Sequence, residues 1–325
     1  MDQYFGVRDW AGIAAALGAW HRTELETERL LTTPRHYAYL KISEGCNWKC
    51  GYCAIPLIRG PHVSVPMETL LKEARKLAAR GVREIMVIAQ DTTYYGIDLY
   101  GRRRLAELLT ALCRIDDIEW IRLHYAYPTA FPDDVIDVMA SEPKICKYLD
   151  IPFQHISDHM LTAMKRRHTK ADALALIERL RERIPDIALR TTLLVGYPTE
   201  TEQDMQELEQ FVRDVRFDRL GVFAYSEEEG TYSARELRDD VPEEEKQRRV
   251  DRIMRLQEGI SLENNLARVG RTMRVIVDSR QGDYYVARSQ YDSPEVDQEI
   301  LIPAAAHQLR RGHFYDARIT AAEDY

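Results

Sequence analysis

From Tyr37 onward the chain alternates strand-length runs with amphipathic stretches, and it does so six times. YAYLKIS (37–43), REIMVIAQ (83–90), EWIRLHYAY (119–127), KYLDIPF (147–153), IALRTTLLVG (187–196) and DRLGVFAYS (218–226) have the length and the apolar or alternating character of strands. The first helical stretch, PMETLLKEARKLAARG, opens on Pro66 and closes on Gly81, which are start and stop signals. Residues 103–115, 132–141, 157–166, 170–184, 200–215 and 242–268 carry the helical spacing between and after the other strands. Strands that alternate with helices build parallel βαβ units, so the fold class is α/β. Right-handed crossovers leave two solutions, an open sheet or a partial (βα)6 barrel, and spacing alone does not choose between them. In both, ligands meet the carboxyl ends of the strands.

From about Gly270 the texture changes to short alternating runs with turn signals such as Gln281-Gly282-Asp283. This reads as a small all-β module, a five-stranded OB-like barrel, packed on the main domain because about 55 residues bury little core alone. The whole chain has 325 residues and a net charge of −8, so it is not a general nucleic-acid coat. Residues 260–325 hold eight arginines, no lysine and ten acids. Such a module suits a basic protein partner better than phosphate. No apolar run approaches the ~20 residues of a membrane span, and the start lacks the positive charge of a signal peptide. A cytoplasmic location is expected, with no membrane contact.

Five cysteines are too few and too unevenly placed for a disulfide scaffold. Cys46, Cys50 and Cys53 fall within eight residues, in SEGCNWKCGYCAIPLIRG, directly after the first strand. A C-x3-C-x2-C spacing can hold three irons of a 4Fe-4S cubane and leave the fourth open to a small molecule. Two other readings exist. The spacing fits an apolar helix stripe, against which Gly45, Asn47 and Gly51 argue for a loop; or zinc is bound, with His62 the nearest fourth ligand. Cys113 and Cys146 read as core.

With the same residues in view, the chain resembles the radical S-adenosylmethionine (SAM) superfamily. YLKISEGCNWKCGYCAIPLIRGPHVS, IAQDTTYYG, LHYAYP, IPFQHIS, MKRRHT and TTLLVGYPTETEQD are similar to its methylthiotransferases. QDTTYYG and LHYAYP resemble the branch that methylthiolates an aspartate β-carbon of small-subunit ribosomal protein S-twelve, free or within the ribosomal subunit. The alternative on the same scaffold is a tRNA adenosine methylthiotransferase. The resemblance implies a radical SAM core at 36–259, a TRAM domain at 260–325, and 1–35 as the tail of an upstream domain that would carry a second cluster. It implies one 4Fe-4S cluster on Cys46, Cys50 and Cys53, and SAM cleaved to a 5′-deoxyadenosyl radical. It also implies an electron donor of flavodoxin or ferredoxin type, and a sulfur-delivery partner.

Tyr52 matches the family's aromatic position near adenine. Other candidate SAM or substrate contacts are taken from strand ends: Gln90, Asp91, Thr92, Gln154, His155, Arg190, Thr192 and Tyr225. His124 and Tyr125 end the third strand. Gly196 and Pro198 are expected to shape a loop that lets backbone approach adenine. The clusters at 102–104 and 165–170 read as solvated basic faces, or as phosphate contacts on a tRNA enzyme.

Overall fold

The computed structural model describes residues 3–6, 9–19 and 29–323. Within the expected tail, a short helix (Trp10–Ala16) starts where the Asp9 carboxylate accepts from the Gly12 amide. Residues 1–2, 7–8 and 20–28 of that tail lie outside the described residues.

Six strands form a parallel sheet: β1 (Tyr37–Lys41), β2 (Glu84–Ile88), β3 (Trp120–Leu123), β4 (Ile145–Asp150), β5 (Ala188–Val195) and β6 (Arg219–Ala224). Their spatial order is their chain order. Nowhere does the order reverse, so same-handed crossovers stack every helix on one face. The contacts agree: Ala38, Leu40, Ile85, Val87, Ile121, Leu123, Leu189 and Leu193 share one core with residues of the helices. Those helices are α1 (Met67–Ala79), α2 (Leu105–Cys113), α3 (Asp133–Ser141), α4 (Lys170–Arg183), α5 (Glu202–Val215) and α6 (Glu243–Leu266). The alternative the sequence left open is thereby decided in favour of the partial barrel. β1 and β6 are its unpaired edges.

Because side chains alternate along a strand, the other residues line the inner face. At its lower end these are charged and buried: Glu84, Arg122, Asp150 and Arg219. A barrel interior of this kind needs counter-charges, and the C-terminal module supplies them.

That module is a four-stranded antiparallel sheet: β7 (Thr272–Gln281), β8 (Tyr284–Ser289), β9 (Ile300–Pro303) and β10 (Phe314–Arg318), in the order β9-β8-β7-β10. Four strands are present among the described residues where five were expected. Helix α6 runs unbroken through residues 259 and 260, and antiparallel pairing begins only at Thr272.

The module closes the amino ends of the barrel strands. Arg288 bridges Glu84 (2.6 Å) and Asp278 (2.6 Å), and Glu84 also accepts from Arg122 at 2.9 Å. His36 lies 2.7 Å from Asp278, and Arg219 Nε donates to Asp292 at 3.1 Å. Tyr37 donates to Glu295 at 2.7 Å, and Arg190 lies 3.4 Å from Asp297. Trp120 packs edge-on against Phe314 with centroids 4.8 Å apart. Part of the acidity read from sequence serves docking: Asp278, Asp292, Glu295 and Asp297 bond across the seam to His36, Arg219, Tyr37 and Arg190, while Asp283, Glu299 and Asp316 stay exposed.

Candidate active site

The carboxyl ends of the strands carry the cysteine loop. Ser43–Glu44 pairs with Val63–Ser64 in a two-residue ladder, which closes the loop between them. Gly45 takes φ +84°, and a Cβ there would lie 2.2 Å from the Pro61 carbonyl, so the turn into Cys46 requires glycine. Cys46 N then donates to the Gly60 carbonyl. Further along, Gly51 N donates to Met164 O, and Ser233 N donates to Gly51 O, which ties the loop to the far side of the barrel. The loop reading holds over the helix-stripe reading, since the first helix after β1 starts only at Ile55, beyond all three cysteines.

All three thiols are free and partly accessible. Burial, together with Asp91, Cys50 and Cys53, pushes the Cys46 thiol up to about 12, although the Trp48 amide works the other way. Burial likewise raises the Cys53 thiol, with Cys50 adding to the effect. Cys50 bears on both other thiols, so the three sulfurs share one neighbourhood, and a cationic centre would offset the burial that keeps Cys46 and Cys53 protonated. Among the described residues, no group of three His, Cys, Asp or Glu side chains is placed to hold a metal ion. A cubane asks instead for three thiolates on three separate irons. His62 Nε2 sits 3.1 Å from Ser64 Oγ and 4.0 Å from Asp98.

Aromatic rings wall the loop. Trp48 stacks on Tyr127 with centroids 4.1 Å apart, and its Nε1 donates to Asp91 at 2.6 Å. Tyr52 packs with Met160, Met164, Tyr197 and Tyr225. Arg166 lies between these walls. It stacks over Tyr127 at 4.2 Å and directs Nη1 at Cys50 Sγ (3.5 Å) and Tyr52 Oη (3.3 Å).

Of the sequence candidates, Tyr52, Gln90, Asp91 and Tyr225 gather at this loop. Gln90 donates to Glu44, and its buried Oε1 has no partner. Asp91 is buried and accepts from Thr93, Trp48 and the Tyr127 amide. Thr92 turns its hydroxyl to the His124 carbonyl. Gln154 takes φ +70°, and its amide donates to the Thr192 carbonyl. His155 Nδ1 accepts the amides of Ile156 and Ser157, while Nε2 faces Glu200 at 3.3 Å. Arg190 is drawn the other way, held by Asp150 at 3.0 Å and by Asp297 of the C-terminal module. His124 meets Ser293 of the same module at 3.0 Å. Tyr125 is half exposed at the mouth, with φ +55°.

Two expectations change. Gly196 is approached by the Lys246 side chain, which a Cβ would meet at 2.4 Å. The basic run at 165–170 is not a solvated face: Arg166 and His168 are buried, and Lys165 stacks on Tyr232. At 102–104 the solvated face stands, with Arg102 exposed and paired, like Arg104, to Glu107. Cys113 and Cys146 are buried in the core, as read. Arg166 is the site residue that sequence reasoning missed. The signal available was its motif, MKRRHT, in which it looked like one basic residue among several.

The family model for the radical SAM superfamily matches residues 40–212, and that for the TRAM domain matches residues 269–325. A ribosomal protein uS12 methylthiotransferase RimO of Bacteroides thetaiotaomicron is 52% identical over 325 residues, covering 100% of this chain and 74% of that protein. The protein of the same name from Porphyromonas gingivalis is 53% identical over 326 residues, with 75% of its length covered. The chain belongs to the RimO family of radical SAM methylthiotransferases. Among solved structures, coproporphyrinogen III oxidase (HemN) from Escherichia coli, a radical SAM enzyme, aligns with a TM-score of 0.51 at 15% identity. The match covers 83% of this chain and 70% of HemN. That likeness concerns the fold alone. Among the described residues, no helix is long and apolar enough to cross a membrane.

Proposed function

We propose that this chain methylthiolates the β-carbon of an aspartate in small-subunit ribosomal protein uS12, with Cys46, Cys50 and Cys53 as ligands of a 4Fe-4S cluster. The observation that carries the reading is the three-thiol loop, set at the carboxyl mouth of a partial barrel in a chain of this family. Cys46, Cys50 and Cys53 would hold the cluster, which with bound SAM would supply radical chemistry toward a carbon that acid–base chemistry does not activate. The protein's own part is placement. The ladder around Gly45 and the bonds of Gly51 fix the thiols. Tyr52 and Tyr225 offer an apolar bed for adenine. Gln90, with its unpartnered buried oxygen, suits the SAM ammonium. The strained Tyr125 and Gln154 shape the mouth where the aspartate enters. Asp91 holds Trp48 and the 92–94 turn in place. Thr92, His155, Thr192 and Arg190 keep the neighbouring strand ends in register.

An electron donor of flavodoxin or ferredoxin type and a sulfur-delivery partner complete the scheme. Free thiols and a ribosomal target suit a reducing cytoplasm. Radical SAM core (36–259) and TRAM module (260–325) act as one body. The test is mass spectrometry of uS12 from cells that lack the family enzyme and are complemented with this gene in full. A methylthio-aspartate confirms the target; methylthio-adenosine in tRNA with unmodified uS12 overturns it.

A further inference from the structure

We propose that Arg166 is the counter-charge of the cysteine-bound cluster and raises its reduction potential through Cys50 Sγ. The inference rests on the cluster reading above. Five arginines are buried among the described residues: Arg122, Arg166, Arg219, Arg249 and Arg288. Four of them face a carboxylate: Glu84, Asp292, Glu200, and the pair Glu84 and Asp278. Among the described residues, Arg166 has no such ion pair. A buried guanidinium left alone is strongly disfavoured, so an anion belongs at this position.

The groups that face it are Cys50 Sγ, Tyr52 Oη, the Tyr127 ring and the Pro152 carbonyl, which accepts from Nη2 at 2.6 Å. Its Nε, buried, has no partner, and neither ring nitrogen of the neighbouring His168 has one. Cys50 is the only one of the three cysteines with a hydrogen bond from a charged side chain among the described residues. A three-thiolate cubane carries net negative charge, and more of it once reduced. A fixed cation on one sulfur therefore favours the reduced form, and hydrogen bonds to the sulfurs act in the same direction.

The test is a redox titration, without SAM, of the anaerobically reconstituted chain and of R166Q and R166K, followed by electron paramagnetic resonance. At the potential where wild type is half reduced, R166Q is expected to show a reduced-to-oxidised ratio about tenfold lower, or about 59 mV for one electron. R166K keeps the charge but loses the fork whose Nη1 meets Cys50 and Tyr52 while Nη2 is held by the Pro152 carbonyl, so a smaller fall, about threefold, is expected. Variants that hold wild-type iron and titrate at the wild-type potential overturn the proposal. So does an unchanged potential with weakened SAM binding, which would assign Arg166 to the SAM carboxylate. If R166Q holds no iron, R166M decides, since it also removes the charge: a potential equal to wild type overturns the proposal. Wild type without a 4Fe-4S signal overturns the cluster reading itself, a separate failure.

Discussion

At the scale of single residues, the three cysteines differ from the rest of the site in how they reach their geometry. Their spacing is local, so the loop was legible directly from sequence. Arg166 was not, because its partner Cys50 lies 116 residues away and only the fold brings them together. The same holds for His124, which meets Ser293 across 169 residues. Burial, then Arg122 and Arg190, hold the His124 imidazole down at about 3; burial, then Arg166, do the same to His168. Both stay neutral in the fold while the unfolded chain takes up protons below about pH 6.5, so stability falls as pH drops. Between pH 7 and pH 5 each histidine is expected to cost on the order of 2 kcal/mol, read as a lower urea midpoint. A midpoint unchanged over that interval would contradict their burial as neutral rings.

At the scale of elements, strands and helices came through from sequence because each follows a simple period. Their ends did not, because the ends are set by tertiary bonds. The third strand was expected to run from 119 to 127 but stops at Leu123, where Tyr125 turns to positive φ at the mouth. Helices α4 and α5 both open on a capping box, Thr169 with Asp172 and Thr201 with Asp204. Asp204 does more than cap. It also accepts from Ser157 and contacts His159 at 3.0 Å, so it ties the IPFQHIS loop to α5. Thr201→Ala is expected to cost about 1 kcal/mol. Asp204→Ala should cost more, since it also releases the Ser157 loop. Thermal denaturation checks the order, and equal losses would contradict the second role.

At the scale of the molecule, the C-terminal module closes one end of the barrel and leaves the other for chemistry. Composition gave the module's acidity but not the direction in which its acids point: Asp292 and Asp297 dock the barrel, while Asp283, Glu299 and Asp316 face solvent. Glu84 joins β2, Arg122 and Arg288 at zero exposure. Glu84→Gln removes the charge shared by two buried arginines, and losses of about 3–5 kcal/mol are expected for breaking such a group. Limited proteolysis should then release the module from E84Q but not from wild type; early release from both would contradict the docked arrangement.

The central claim is that the Cys46, Cys50 and Cys53 loop serves reductive SAM cleavage. The measurement that tests it most directly is the product of SAM incubated with the anaerobically reconstituted, reduced chain. Formation of 5′-deoxyadenosine by wild type, abolished in Cys50→Ala, is the predicted result. A wild-type chain that carries its full iron and sulfide yet leaves SAM intact would contradict it.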